Sequence, residues 1–368
     1  MERQQKQARQ ARTRSGSGTA AAVSRHAQQR LVRQIVSSWQ TQAIYVAAQL
    51  GIADHLAQQP ATAGTLAEEL DCSSDGLVRL LRGLCALGIC RQRADDRFAL
   101  TPAGRLLCSD DSSQHNANGT ASLRALALWW GKPLWPVWGD LLYSVRTGAS
   151  ARERITGEAD YAYLKENAQT ASTFHEAMRA MTALIALDVA RLATWRDVSS
   201  LVDVGGGHGE LAAAILAEQL QLHAIVLDLP HAKAGAEALI ESGGLTDRCQ
   251  FRSGSFFDEI PGGADRYLLK SILHNWNDER CAAILARCRD AATAGTRLLL
   301  VERLRPAHLR VNAHDEALAR TDLNMLAGLG GRERTLEEFA ALLHRAGFAV
   351  LQTHRTSFEF SVIEAGLR

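Results

Sequence analysis

The sequence predicts an α/β protein, a doubly wound domain preceded by a smaller, mainly α-helical module. Three observations carry this. Residues 201–204 are a short apolar run that ends in Gly205, Gly206, Gly207 and Gly209 and passes into Glu210-Leu-Ala-Ala-Ala-Ile-Leu-Ala-Glu218, rich in strong helix formers. Strand, glycine turn and helix make the first unit of a Rossmann-like fold. Further strand-like runs alternate with helical patterns at 224–227, 249–252, 267–269 and 297–301, with a closing pair near 349–352 and 358–362. Before residue 111, two short helical patterns and a hairpin signal read as a winged helix.

The chain has 368 residues, which suggests about two domains. Hydrophobic residues are 46 % and the net charge is +1, as in an ordinary soluble globular protein. No apolar run reaches the roughly 18 residues of a membrane span, and no apolar signal core opens the chain. The seven cysteines are scattered, with no C-x-x-C pair, so reduced thiols in the cytoplasm are expected and no metal site is. The expected organisation is a disordered tail at 1–25, a winged-helix module at 26–111, a helical linker that lines the substrate at 112–195 and the α/β domain at 196–368.

Taken in order, the first 25 residues carry Arg3, Lys6, Arg9, Arg12, Arg14 and Arg25 against Glu2 and lack apolar periodicity. They have no aromatic residue for stacking on nucleic acid bases. Residues 31–56 read as a helix interrupted at Gly51. Leu31, Ile35, Trp39, Ala43, Val46 and Leu50 form one apolar face and 44–48 a second, so a subunit contact is expected. Residues 62–70 and 74–87 read as two more helices, and 89–93 with 97–100 as a hairpin around Asp95-Asp96. Between 56 and 111, Arg79, Arg82, Arg91, Arg93, Arg97 and Arg105 face a larger number of acids (68, 69, 71, 75, 95, 96, 110 and 111). A net acidic module is a poor phosphate binder, so a dimer role is favoured over DNA binding.

The stretch 119–145 holds Trp129, Trp130, Trp135 and Trp138, and Pro133 and Pro136 break it into short pieces. It reads as packing between domains, as an aromatic wall for a flat ligand, or as both. Residues 161–192 read as helical, with Phe174, Met178, Met181 and Ile185 on one stripe.

The glycine turn departs from the dinucleotide fingerprint, because Glu210 stands where its third glycine would fall. With Asp203 just before the turn, two carboxylates flank the loop. They make a poor pyrophosphate cradle and suit a cationic nucleoside such as S-adenosylmethionine (SAM), which has a sulfonium, an ammonium and no phosphate. Asp228 ends the second strand, where an acid can accept from ribose hydroxyls. His274 follows the fourth strand, and an imidazole suits a general base at neutral pH. Glu302 ends the fifth strand and Glu333 precedes the helical pattern 336–346; either can orient the imidazole. Arg303, Arg332 and Arg334 stand close by in sequence as competing salt-bridge partners for both.

Five ordered stretches, Leu-Val-Asp-Val-Gly-Gly-Gly-His-Gly (201–209), Leu-Asp-Leu-Pro (227–230), Gly-Ser-Phe-Phe (254–257), Leu-Lys-Ser-Ile-Leu-His-Asn-Trp-Asn-Asp-Glu (269–279) and Gly-Gly-Arg-Glu-Arg-Thr (330–335), strongly resemble the SAM-dependent O-methyltransferases of the plant caffeate and bacterial polyketide or phenazine type. The resemblance spans about residues 30–365. It implies a class I methyltransferase domain with a winged-helix dimerisation domain, a homodimer, a small hydroxylated substrate, and no nucleic acid or membrane partner. Gly205 and Gly207 would pass the methionine part of SAM, Asp228 would hold the ribose, Phe256 would pack on adenine and Lys270 would line the site. Asp203, Leu229, Ser255 and Ser271 complete that set. Ser255 replaces the family's usual aspartate and offers adenine a shorter, uncharged arm. His274 would deprotonate the substrate hydroxyl between Glu302 and Glu333. Trp129, Phe174, Met178, Asn324 and Met325 would line the substrate. N- or C-methyl transfer and SAM-dependent hydroxylation or decarboxylation on the same fold are the alternatives, with DNA binding by the winged helix a more distant one.

Overall fold

The computed structural model describes residues 25–109 and 121–368. The basic tail expected at the N-terminus lies outside the described residues, except for Arg25. The chain divides into two compact units, the first ending at Gly104 and the second running from Arg105 to Arg368.

In the first unit the single helix expected at 31–56 is three pieces: 25–35, Ser38–Leu50 and Ile52–Gln58. Gly51 sits at φ 68°, a left-handed conformation that costs glycine little, and turns the chain between the last two. Helices Ala63–Glu69 and Ser74–Ala86 follow, each started by a hydroxyl that accepts a backbone N–H: Thr62 from Thr65 and Ser73 from Gly76. Strands β1 (Cys90–Gln92) and β2 (Phe98–Leu100) pair antiparallel, and Ala61 bridges to Phe98 on the other side of β2. The wing therefore has a third strand position that a lone alanine could not announce.

The second unit is built on a seven-stranded sheet. Its strands are β3 (Ser200–Val204), β4 (His223–Asp228), β5 (Cys249–Ser253), β6 (Arg266–Lys270), β7 (Arg297–Glu302), β8 (Phe348–Arg355) and β9 (Ser361–Leu367), in the order β5-β4-β3-β6-β7-β9-β8. The first five run parallel, and β9 is antiparallel to both β7 and β8. The closing pair is longer than the apolar runs showed, because Arg355, Glu364 and other polar residues continue the ladder. Strand order reverses at β3, between β4 and β6, and in such sheets ligands sit beyond the carboxyl ends of the strands at that point. Apolar residues cover both faces: Tyr267, Leu269, Leu300 and Phe339 on one, Val226, Leu268, Leu299 and Ile215 on the other.

The expected helix at 161–192 is broken. Tyr163–Glu166 is followed by Ala168–Ala183 and Ala186–Ala190, with Asn167 capping the middle piece by accepting from Thr170 N at 2.8 Å. An asparagine that caps one helix ends the one before it, which apolar spacing does not reveal. This region and the tryptophan segment belong to the same compact unit as the sheet.

The loop 330–335 returns across the end of β6 so closely that a Cβ on Gly331 would press into the His274 carbonyl and lie 2.5 Å from the Asn275 carbonyl carbon. Gly331→Ala should therefore lower stability by about 1–3 kcal/mol, the usual cost of overpacking, and thermal unfolding of the variant beside the parent measures it.

Candidate active site

A cavity of about 720 Å³ opens at the carboxyl ends of the parallel strands, within the size range of small-molecule sites. Its floor is the glycine turn. Gly205, Gly207 and Gly209 have φ of 71°, 59° and 82°, which side chains rarely adopt. Gly206 is needed for space instead, since a Cβ there would meet the Asp203 carboxyl at 2.7 Å. Beside Gly207 the wall is open: the nearest atom to an added Cβ is His175 Nδ1 at 3.9 Å.

The acids expected at this end are in place. Asp228 Oδ2 accepts from Gly207 N at 2.6 Å and Oδ1 from Leu229 N at 2.6 Å, which aims the carboxylate along the turn. Burial pushes the Asp228 pKa up, against those two bonds. Asp203 is buried, and its Oδ2 has no hydrogen-bond partner. Burial, then the charge of Asp228, push it up to about 7. A buried carboxyl with one oxygen unpartnered suits a cation, and a sulfonium nucleoside brings two positive groups. The glycine turn and these acids thus fit SAM. Lys270, Ser271, Leu229, Ser255 and Phe256 line the same cavity. Ser255 Oγ accepts from Phe257 N at 3.2 Å, and burial, then Arg303, bring the Lys270 ammonium down to about 8. Ser271 sits at φ 56°, a strained setting for a non-glycine residue, held by its N–H to Val301 O at 3.0 Å.

His274 stands in a short 3₁₀ turn, Leu273–Asn275, directly after β6. Its Nδ1 is 3.1 Å from Glu333 Oε1 and 3.8 Å from Glu302 Oε2. The two glutamates are not equivalent. Glu302 Oε1 accepts from the backbone N–H groups of Ile272 at 3.1 Å and Leu273 at 2.8 Å, so it holds the turn, whereas Glu333 bonds the imidazole itself. The competing salt bridges go elsewhere: Arg303 pairs with Glu359, and Arg332 and Arg334 pair with Asp278. Arg334, fully buried, also donates to the carbonyls of Leu273 at 2.8 Å and Trp276 at 2.7 Å, and Arg332 N donates to His274 O at 2.9 Å. The remaining oxygens, Glu302 Oε2 and Glu333 Oε2, are buried with no hydrogen-bond partner. Burial alone would push the imidazole pKa down; the charges of Glu333 and Glu302 and the Glu333 hydrogen bond outweigh it, and the pKa is raised.

Trp129, Phe174, Met178, Asn324 and Met325, expected from separate stretches, all line this cavity. Trp129 meets Phe174 edge to face at 5.2 Å, and Asn324 Oδ1 is buried without a partner. Sequence reading missed Tyr161, which packs on Phe174 at 5.7 Å, and Trp276, which packs on Phe257 at 5.2 Å. Trp276 stands two residues after His274, a proximity that was there to be used. It also missed a histidine cluster. His175 stacks on His208 at 4.5 Å and lies 3.0 Å from His231. Burial, then its two neighbours, hold His175 down to about 3, so it is neutral.

An acid-lined glycine turn at the switch point of a parallel sheet, in one cavity with a strand-end imidazole, fits a class I SAM-dependent methyltransferase. Comparison with known proteins says which kind. The O-methyltransferase domain model matches residues 138–349, and the O-methyltransferase dimerisation domain model matches 32–110. The phenazine O-methyltransferase PhzM of Lysobacter antibioticus is 33 % identical over 91 % of this chain and 95 % of its own. The solved structure of LaPhzM superposes with a TM-score of 0.85 at 32 % identity, over 93 % of this chain and 99 % of that one. An O-methyltransferase from neocarzinostatin biosynthesis, NcsB1, solved with SAM and 2-hydroxy-5-methyl naphthoic acid, superposes with a TM-score of 0.73 at 32 % identity, over 89 % and 96 %. The chain belongs to the SAM-dependent O-methyltransferase family.

The raised pKa of His274 has a sign. An imidazole stabilised in its charged form contributes folding stability that is complete below its unfolded pKa of about 6.5 and is lost as pH rises through the higher folded value. If His274 takes up the substrate proton it must do so as the neutral ring, and the acid limb of kcat/KM should then lie above pH ~6.5. In Glu333→Gln that limb should move to lower pH and kcat should fall, as a pH–rate series would show.

Proposed function

We propose that this O-methyltransferase acts on a hydroxyl of a flat aromatic secondary metabolite, with His274 as general base. The observation that carries the reading is the polarity of the imidazole: Nδ1 is committed to Glu333, so Nε2 is the nitrogen left to the cavity that His274 lines. Glu333 fixes the tautomer and supports the imidazolium that forms on proton uptake, and Glu302 keeps the turn from shifting. In this reading Asp228 takes the ribose hydroxyls, Gly205 and Gly207 let the methionine part pass, and Asp203 faces its positive charge. Phe256, Ser255, Leu229, Lys270 and Ser271 enclose the rest. SAM supplies an electrophilic methyl on its sulfonium when bound. Trp129, Phe174, Met178, Asn324 and Met325 hold the acceptor ring and exclude water, and such alignment is worth up to roughly 7–11 kcal/mol in well-oriented systems. An aromatic acceptor is supported by those rings and by the naphthoic acid bound to the neocarzinostatin relative.

His274→Ala should lose about 10²–10⁴ in turnover. The variant should still bind S-adenosylhomocysteine (SAH) as the parent does. Labelled methyl transfer measures the first and calorimetry the second, and parental turnover in the variant would remove the base role.

The working unit in this reading is a homodimer formed through the N-terminal unit. Leu31, Val32, Ile35 and Val36 are large apolar residues at least half exposed on 25–36, a stripe that a monomer would leave in water. Cytoplasmic placement is supported by seven cysteines that are all free thiols. Among the described residues no helix is long and apolar enough to cross a membrane. In light scattering the parent should run at twice the 40.0 kDa chain mass, and Ile35→Asp should shift it toward one chain mass.

A further inference from the structure

The acceptor side of the cavity holds a buried cation that methyl transfer as derived above does not use. Arg152, in the helix Ala151–Thr156, lines the cavity and is 7 % exposed. Three arginines are buried among the described residues. Arg303 has Glu359 at 3.3 Å and Arg334 has Asp278 at 2.9 Å. Among the described residues Arg152 has no carboxylate within ion-pair distance. Its polar side-chain contact is Nη1 to the Tyr163 hydroxyl at 2.7 Å, and its guanidinium lies over the Tyr163 ring at 4.9 Å and near the Trp129 ring at 5.6 Å. Tyr163 cannot supply the missing charge, because burial raises its hydroxyl pKa. A guanidinium kept this dry without a counter-charge is costly unless a ligand brings one.

The surroundings point to where that ligand lies. Gly328 leaves room beside Arg152: a Cβ there would be 3.4 Å from Nη2. Gly328 follows Asn324 and Arg320 at intervals of four on the helix Ala313–Leu329, so the three share a face. Arg320 lies over the Trp130 ring at 5.5 Å. The acids that line the cavity are paired or belong to the glycine turn: Asp160 pairs with Arg280, Glu359 with Arg303, and Asp203, Glu210 and Asp228 flank the turn. The cavity is thus acidic where a cationic methyl donor belongs and basic against the tryptophan wall.

We propose that Arg152 binds a carboxylate of the acceptor, so that the substrate is a hydroxylated aromatic carboxylic acid rather than a neutral phenol. The guanidinium offers Nε and Nη2 to the two carboxylate oxygens, a planar match that lysine lacks. The acid group anchors the ring against Trp129 and leaves a ring hydroxyl to face His274. This rests on the methyl-transfer reading of the same site.

The test measures binding of hydroxybenzoates and hydroxynaphthoates, and of the matching primary amides, to the SAH-loaded protein by calorimetry. The parent should prefer acids to amides. Arg152→Gln should weaken the acids by about 30-fold or more, the range seen when one partner of a buried charge pair is removed, and the amides by less than about threefold. Arg152→Lys, which keeps the charge and is safer for folding, should keep a reduced preference for acids. Equal affinity of the parent for acid and amide, failure of every acid to bind, or equal loss of both ligands in Arg152→Gln overturns the proposal. Loss of SAH affinity in Arg152→Lys, with the fold intact by circular dichroism, assigns the guanidinium to the donor's own carboxylate and overturns it too. A parent that does not bind SAH refutes the methyl-transfer reading itself.

Discussion

The geometry at His274 depends on two loops held face to face by charges that bond to backbone. The turn after β6 would be free to shift, since it has only one 3₁₀ turn of its own. Glu302 holds it from one side through the amides of Ile272 and Leu273, and Arg334 from another through the carbonyls of Leu273 and Trp276. The His274 carbonyl is taken by Arg332 N, and Gly331 lets that approach happen. Only then does Glu333 stand 3.1 Å from the imidazole. Buried ionic groups are expensive to desolvate, and here most of their hydrogen-bonding capacity goes to peptide groups that would otherwise be buried unpaired. Two lone oxygens, on Glu302 and Glu333, remain as a local negative field around the ring.

The same economy of charge divides the cavity. Its glycine-turn end holds buried carboxyls whose protons are harder to remove than in water, so a positively charged ligand gains by sitting there. Three imidazoles close that end without adding positive charge, because burial keeps His175, His208 and His231 biased to the neutral form. The opposite wall is aromatic and carries arginine. A donor and an acceptor of opposite charge would be sorted to their own ends before any chemistry.

Much of this was legible in the chain. The strand–glycine–helix start, the parallel strands and the wing hairpin follow from apolar period and turn chemistry, which are local. Local signals failed where one residue served two elements or where pairing was made at a distance. Asn167 ends one helix by capping the next, Ala61 joins the wing through a single bridge, and β9 and β8 extend through polar residues, β9 on the edge of β7 and β8 on the edge of β9. At the site, the sequence placed His274, Glu302 and Glu333 near strand and helix ends but could not rank the two glutamates or rule on Arg303, Arg332 and Arg334. Those arginines found Glu359 and Asp278 instead, partners that are 56, 54 and 56 positions away, respectively.

What the sequence determined by itself is the kind of fold and the kind of chemistry. A run of glycines with acids on either side suits a cationic nucleoside better than a pyrophosphate, by backbone freedom and charge, and the resemblance of five motifs to O-methyltransferases gives the chemistry. What only the tertiary structure decided is the division of labour among like residues: which glutamate bonds the imidazole, which holds the turn, and which arginine is buried with no carboxylate partner among the described residues. Those outcomes are set by distances of about three ångströms between segments far apart in the chain, and pairing at that range depends on how the sheet stacks its loops rather than on any residue's own preference.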